Sequence, residues 1–304
     1  MAKWDIKDGF WRMDCREGEE WNFAYVLPQP EGSPTMIVVP TSLQMGWVES
    51  PPYFCAASET ARDIAGDYCD TGIGTLPDHK FLPYAIGNPA YQSLPESMSG
   101  DIPLRYLLEV YVDDFVSLVI PASREHLRHV SNGTMMAIHD IFPPDEIDSN
   151  DPISEKKLKQ GDGEYATTKT VLGFELDGIA KTIWLEEAKR AYLLTVLKGW
   201  VRSAQSSTIG IEFKDFESIV AKIRHAFTAI PAGRGLLSPC NKILQKKPRT
   251  VYLHRNPFLL AALSGCRTLL RESSDSPTRC KELVGGWPDY IGVCDVSSHG
   301  VGGV

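Results

Sequence analysis

The chain has 304 residues, 43% of them hydrophobic and 23% charged, which is enough apolar material for more than one core and too balanced for a disordered polymer. A formal charge of −8 argues against an evenly basic nucleic-acid binder. The most apolar run, residues 106–120, is broken by Glu109, Asp113 and Asp114, so no membrane span is expected.

The first residues, Met1-Ala2-Lys3-Trp4-Asp5, carry no apolar signal region. Seven cysteines are scattered without a Cys-x-x-Cys pair. That pattern argues against a zinc site and for free thiols in a reducing, intracellular compartment. The charge is unevenly placed: residues 181–255 hold fourteen Lys and Arg against five Asp and Glu, a net of +9. Such a block suits a phosphate backbone, and it equally suits the wet face of ordinary helices.

In chain order, a short strand precedes Asp5, and the segment Gly9-Phe10-Trp11-Arg12 follows it. Residues 21–27 and 36–41 read as a hairpin whose long tip holds Pro28, Pro30, Gly32 and Pro34. Ser50-Pro51 reads as a helix start, with Ser50 as N-cap and Pro51 in the first turn. Phe54, Ala57, Ala61 and Ile64 follow at helical spacing. Residues 70–103 read as loop. Residues 106–120 read as a β-hairpin with two aspartates at its turn.

Ser123 opens a helix carrying Leu127, Val130, Met135 and Ile138. Residues 143–168 are acidic, then lysine-rich, and read as a mobile surface insertion. Residues 171–176 and 182–185 predict a second hairpin with its turn at Asp177-Gly178. Helices follow over 186–203, 213–230 and 257–270, and residues 284–304 return to strand and glycine.

The pair Asp113-Asp114 carries the first chemical hint. Phosphoryl transfer needs two divalent ions about 3.5–4 Å apart, and Mg²⁺ prefers carboxylate oxygen. Adjacent carboxylates disfavour one another unless a cation lies between them. Asp is also a common turn residue, so the pair alone leaves a plain turn open.

Four segments together narrow the choice. Tyr111-Val112-Asp113-Asp114 resembles the Tyr-x-Asp-Asp box of reverse transcriptases. Asp5-Ile6-Lys7-Asp8-Gly9-Phe10 is similar to that family's first catalytic box. Leu43-Gln44-Met45-Gly46-Trp47, followed by Ser50-Pro51 and Phe54, resembles the box between them. Leu172-Gly173-Phe174 resembles the Leu-Gly-aromatic turn that holds the primer end. The four occur in the family's order and cover about residues 4–174.

The resemblance implies an RNA-directed DNA polymerase of an LTR-type retrotransposon polyprotein. Its implied fold class is α+β: a palm, with an antiparallel sheet covered by helices on one face, followed by a helical thumb and a connecting segment. The implied domains are a palm over 1–170, primer-grip hairpin and thumb over 171–255, and a connection over 256–286. Asp5 and Asp113 would bridge two Mg²⁺ or Mn²⁺ ions, with Asp114 in support. Ile6, Phe10, Met45 and Gly46 would line the nucleotide, with Phe10 excluding a ribose 2′-hydroxyl; a core aromatic is the competing role for Phe10. Leu172, Gly173 and Phe174 would form the primer grip. The implied partners are a primed RNA or DNA template and deoxynucleoside triphosphates.

Two further expectations come from the ends. Residues 287–304, with Asp295-Val296-Ser297 and the glycines after it, resemble the first strand of a ribonuclease H domain, whose other carboxylates lie downstream; a glycine-rich tail is the competing description. Only four residues precede Asp5, whereas the family carries its fingers there. This sets an inactive or domesticated remnant, acting at most as a nucleic-acid-binding module, beside the enzyme.

Overall fold

Residues 106–120 are a β-rich apolar run broken by two aspartates, and apolar residues recur every three to four positions in the helices. These patterns fold into two compact units, Met1–Thr167 and Thr168–Val304. The computed structural model describes residues 1–85, 93–97, 103–144, 150–206, 210–273, 275–284, 294–297 and 300–303.

The first unit comprises β1 (Ala2–Asp5), β2 (Tyr25–Val26), β3 (Ile37–Val38), α1 (Ser50–Cys69), β4 (Arg105–Tyr111), β5 (Asp114–Ile120), α2 (Arg124–Ile141) and α3 (Glu155–Lys159). The central sheet is antiparallel in the order β1-β5-β4. Helices α1 and α2 pack on each other, α1 against β4 and α2 against β5. Between them lie Trp4, Phe54, Phe115, Leu127, Met135 and Ile138. Burying side chains of this size stabilises by about 1.5–3 kcal/mol each.

Several expectations are met here and several corrected. Ser123 caps α2, accepting a hydrogen bond from the His126 N–H. Ser50 does not cap α1. Its hydroxyl donates to the Gln44 carbonyl at 2.8 Å, and Glu49 holds the cap position. The hairpin expected over 21–41 shrinks to β2 and β3, because Glu20–Phe23 forms a 3-10 turn. Within 70–103, Leu82–Ala85 is also a 3-10 turn, and it buries Leu82 and Ala85.

The larger correction concerns 143–168, of which residues 145–149 lie outside the described ones. Residues 150–166 are built into the unit, with Ile153, Leu158 and Tyr165 in its core. They run along β1 and satisfy its free edge. Lys7 N–H donates to the Pro152 carbonyl, Ser154 N–H to Asp5, Lys3 N–H to Asp162, and Ala166 N–H to Met1. An exposed strand edge is a row of unpaired donors and acceptors, so a polar segment with three well-spaced apolar residues is held there.

The second unit comprises β6 (Thr168–Val171), β7 (Phe174–Asp177), β8 (Thr182–Leu185), α4 (Glu187–Ser206), β9 (Ile211–Glu212), α5 (Phe213–Ala226), α6 (Ser238–Lys246), β10 (Thr250–Val251), α7 (Pro257–Glu272), β11 (Thr278–Arg279), α8 (Cys280–Leu283), β12 (Cys294–Ser297) and β13 (Gly300–Gly303). Its four-stranded sheet runs β11-β8-β7-β6. Phe174, Leu197, Phe216, Ile223, Leu263 and Cys266 belong to one core. The hairpin expected from 171–176 and 182–185 forms as β7 and β8, but its first strand begins at Phe174, because residues 172–173 make a tight turn back to β6. Leu172 (φ 50°) and Gly173 (φ 83°) both adopt the left-handed conformation that a tight hairpin requires. Helix α6 was not expected from the sequence.

Residues 294–297 and 300–303 pair as an antiparallel hairpin, with Asp295 opposite Gly302. The rest of the stretch compared with ribonuclease H lies outside the described residues.

Candidate active site

Two strand ends create the site. In β1 the buried Trp4 alternates with the half-buried Asp5, so the strand's last side chain turns away from the core. The β4–β5 hairpin closes through Val112 and Asp113. Val112 has a φ of 57°, a left-handed conformation that β-branched residues avoid. Holding it costs about 1–3 kcal/mol, and strain of this kind gathers at functional sites. Asp114 pairs with Tyr111 on one side and Asp5 on the other. The Ile6 N–H donates to the Asp113 carbonyl at 2.9 Å. Asp5, Asp113 and Asp114 are thereby neighbours, although 108 residues separate Asp5 from Asp113.

The electrostatics follow from that crowding. Burial pushes the Asp113 carboxyl up; its own backbone N–H opposes this, the charge on Asp5 adds to it, and Lys157 pulls down. Burial also pushes Asp114 up, and the charges of Asp113 and Asp5 add to the effect. The ammonium of Lys157 stands against the Asp5 carboxylate as an ion pair; Asp5 is 13% exposed and Lys157 43%. Burial pulls the Lys157 ammonium down, but Asp5, Asp114 and Asp162 outweigh it and hold it above its usual range. Lys157 was not expected here. The signal was present in the apolar spacing of Ile153, Leu158 and Tyr165, which a solvated insertion has no use for.

Behind the pair, a polar network fixes residues 150–154. His79 Nε2 meets His139 Nδ1 at 3.1 Å, His139 Nε2 meets Asp151 Oδ1 at 3.0 Å, and Lys80 pairs with Asp151 at 2.5 Å. The Ile153 N–H donates to the same carboxylate. Burial pushes Asp151 up, but the hydrogen bonds from His139, Lys80 and Ile153 prevail and hold it below the usual carboxylate range. Burial, helped by the charge of His139, pushes His79 down to about 4.

The other expected residues are placed as follows. Ile6 faces the core at 2% exposure. Phe10 is half-buried, its ring edge-on to Phe54 with centroids 5.3 Å apart. Met45 is 72% exposed, and Gly46 (φ 100°) has open space where a Cβ would stand, so conformation is its only constraint. Among the described residues no hydrogen bond or ion pair joins Met45 or Gly46 to the aspartates.

Leu172, Gly173 and Phe174 belong to the second unit. The Phe174 ring lies 4.5 Å from that of His225, and Lys189 covers Gly173. In the same unit α4 and α5 border a cavity of about 710 Å³ whose lining includes Lys189, Tyr192, Lys222 and His225. Lys222 sits over the Tyr192 ring at 4.7 Å. No helix among the described residues is long and apolar enough to cross a membrane.

Among the described residues no three His, Cys, Asp or Glu side chains already converge as a metal-binding group. The donor set at Asp5, Asp113 and Asp114 nonetheless fits a hard divalent cation in kind. It offers only carboxylate oxygen, it is half-buried, and its charges raise one another. A cationic group, Lys157, already stands against it.

No protein-family model matches the chain. No curated protein is similar to it. Among solved structures it is similar to the foamy viral protease-reverse transcriptase dRH in complex with double-stranded DNA, at 16% identity and a TM-score of 0.49, over 88% of this chain and 35% of that one. It is also similar to the foamy viral protease-reverse transcriptase in complex with an RNA/DNA hybrid, at 16% identity and a TM-score of 0.46, over 91% and 27%. The chain thus spans about a third or less of those proteins. A likeness at this level does not assign it to a family.

Proposed function

We propose that the chain is the palm-and-thumb portion of an RNA-directed DNA polymerase, which joins deoxynucleotides to a primer end under template direction. The observation that carries the reading is the meeting of Asp5 with Asp113 and Asp114 across β1 and β5. Those aspartates lie in two of four ordered segments that resemble reverse transcriptase boxes.

In this reading Asp5 and Asp113 hold Mg²⁺ or Mn²⁺, and Asp114 adds negative charge beside them. When bound, such ions activate the attacking oxygen and neutralise the leaving group. The chain's own part is to position them: the β1–β5 register sets the separation of the carboxylates, and the strained Val112 turn presents Asp113 at the hairpin tip. Phe10 packs on Phe54 at the base of the nucleotide position. The Lys and Arg residues of 181–255 contact the duplex backbone, where phosphate contacts are mostly basic.

The test is primer extension on an RNA template with Mg²⁺ or Mn²⁺, comparing the chain with its Asp113→Asn/Asp114→Asn variant. Extension that disappears in the variant is expected. Duplex binding without extension in either protein would overturn the enzyme reading and leave a nucleic-acid-binding remnant.

A further inference from the structure

We infer that Lys157 is a resident counter-cation of the aspartate cluster, one that a divalent ion must displace from Asp5 in order to bind. The inference rests on the metal-site reading of Asp5, Asp113 and Asp114. It goes beyond that reading by assigning the site a built-in competitor and a threshold for metal.

Three observations carry it. The first is the charge balance. Asp5, Asp113 and Asp114 are three carboxylates in partial burial, and Lys157 is the ammonium in contact with Asp5. The nearby Lys3 is paired at 3.1 Å with Asp162. A bound divalent ion would therefore meet a cluster already partly neutralised, and repulsion between the ion and the ammonium would oppose it.

The second is where the backbone is anchored. Leu158, next to Lys157, is buried in the core. Ser154 N–H is bonded to the Asp5 carbonyl, and the Lys157 carbonyl accepts from Asp162 N–H at 3.1 Å. Helix α3 therefore delivers the Lys157 stem to the same place whether or not the ammonium is engaged.

The third is freedom at the tip. The Lys157 side chain is 43% exposed, on a flexible four-carbon stem. Release needs only side-chain rotation into solvent, with no movement of α3 or β1. The contact is thus a side-chain exchange built on a fixed backbone: ammonium when metal is scarce, divalent ion when it is abundant.

The experiment is a Mn²⁺ titration of the full chain at constant ionic strength, followed by electron paramagnetic resonance. The proteins are wild type, Lys157→Met, Lys157→Arg and Asp113→Asn/Asp114→Asn. Lys157→Met keeps the apolar stem and removes the charge; it should tighten Mn²⁺ binding on the order of tenfold. Lys157→Arg keeps the charge in a carboxylate-matching fork; it should bind Mn²⁺ no more tightly than wild type, and it serves if the Met variant fails to fold.

If wild type binds Mn²⁺, the double Asn variant does not, and Lys157→Met matches wild type, the metal site stands and the competitor falls. Tighter binding by Lys157→Arg would overturn the inference as well. Absence of Mn²⁺ binding in wild type and both Lys157 variants would overturn the metal site and the inference together.

Discussion

Asp114 carries a charge that its surroundings in the fold disfavour. Its pKa is raised by burial and by its carboxylate neighbours. A raised carboxyl contributes stability below the unfolded value of 3.8 that is lost as pH rises through the folded value, so at pH 7 the ionised group is a cost. Asp114→Asn is therefore expected to stabilise the metal-free chain at pH 7. Urea unfolding checks this, and a lower midpoint in the variant would show that the charge is well compensated. Groups that a reaction needs and a fold does not are common at active sites. The residue pattern revealed this aspartate directly, since two acids inside an apolar hairpin stand out. It did not reveal Lys157, because a lysine in a polar stretch has no pattern of its own until the backbone carries it to a carboxylate.

At the scale of elements, residues 150–166 decide the geometry around Asp5. Asp151 accepts from His139, Lys80 and the Ile153 N–H. Asp151→Ala removes an acceptor from all three and should cost about 1–3 kcal/mol. Hydrogen exchange would then show lost protection along 150–166; unchanged exchange would mean that apolar packing alone holds the segment. His79 supplies a pH signature. Its pKa is pushed from 6.5 down to about 4, chiefly by burial. A depressed histidine contributes stability that is full above 6.5 and is lost as pH falls toward about 4. Wild type should therefore lose more melting temperature than His79→Gln between pH 6.5 and 4. Asp113 and Asp114 act with the opposite sign, but they are common to both proteins and cancel in the comparison. Equal losses would place His79 in water. The sequence showed the longer helices through their spacing and the 106–120 hairpin through its β-rich apolar strands and the acids at its turn. It missed the β1 edge, because an irregular segment that pairs with a strand has neither signal.

For the molecule as a whole, two separate cores matter more than overall composition. Phe216 is fully buried in the second core among residues from α4, α5 and α7. Phe216→Ala should cost about 3–5 kcal/mol, with protection from hydrogen exchange falling across those three helices. A loss confined to α5 would show that the second unit does not unfold as one body. The net charge of −8 concealed a +9 block, and that block falls within the second unit. Its two lysines beside Tyr192, at the cavity bordered by α4 and α5, follow from helical spacing: Lys189 and Tyr192 are three apart on one helix, and Lys222 faces them from the other.

By itself the sequence determined the mixed α and β character, the principal helices, and the hairpin that carries Asp113 and Asp114, because local spacing and turn chemistry act over a few residues. It also put the reverse transcriptase-like segments in order. The resemblance also put Asp5 beside the 113–114 hairpin; only the tertiary structure decided the register that sets Asp5 opposite Asp114, that an apparently loose acidic stretch closes the edge of β1, and that Lys157 lies against Asp5. Those contacts join residues more than 100 positions apart, and which distant partners meet is set by the burial of a shared core and the pairing of a free strand edge.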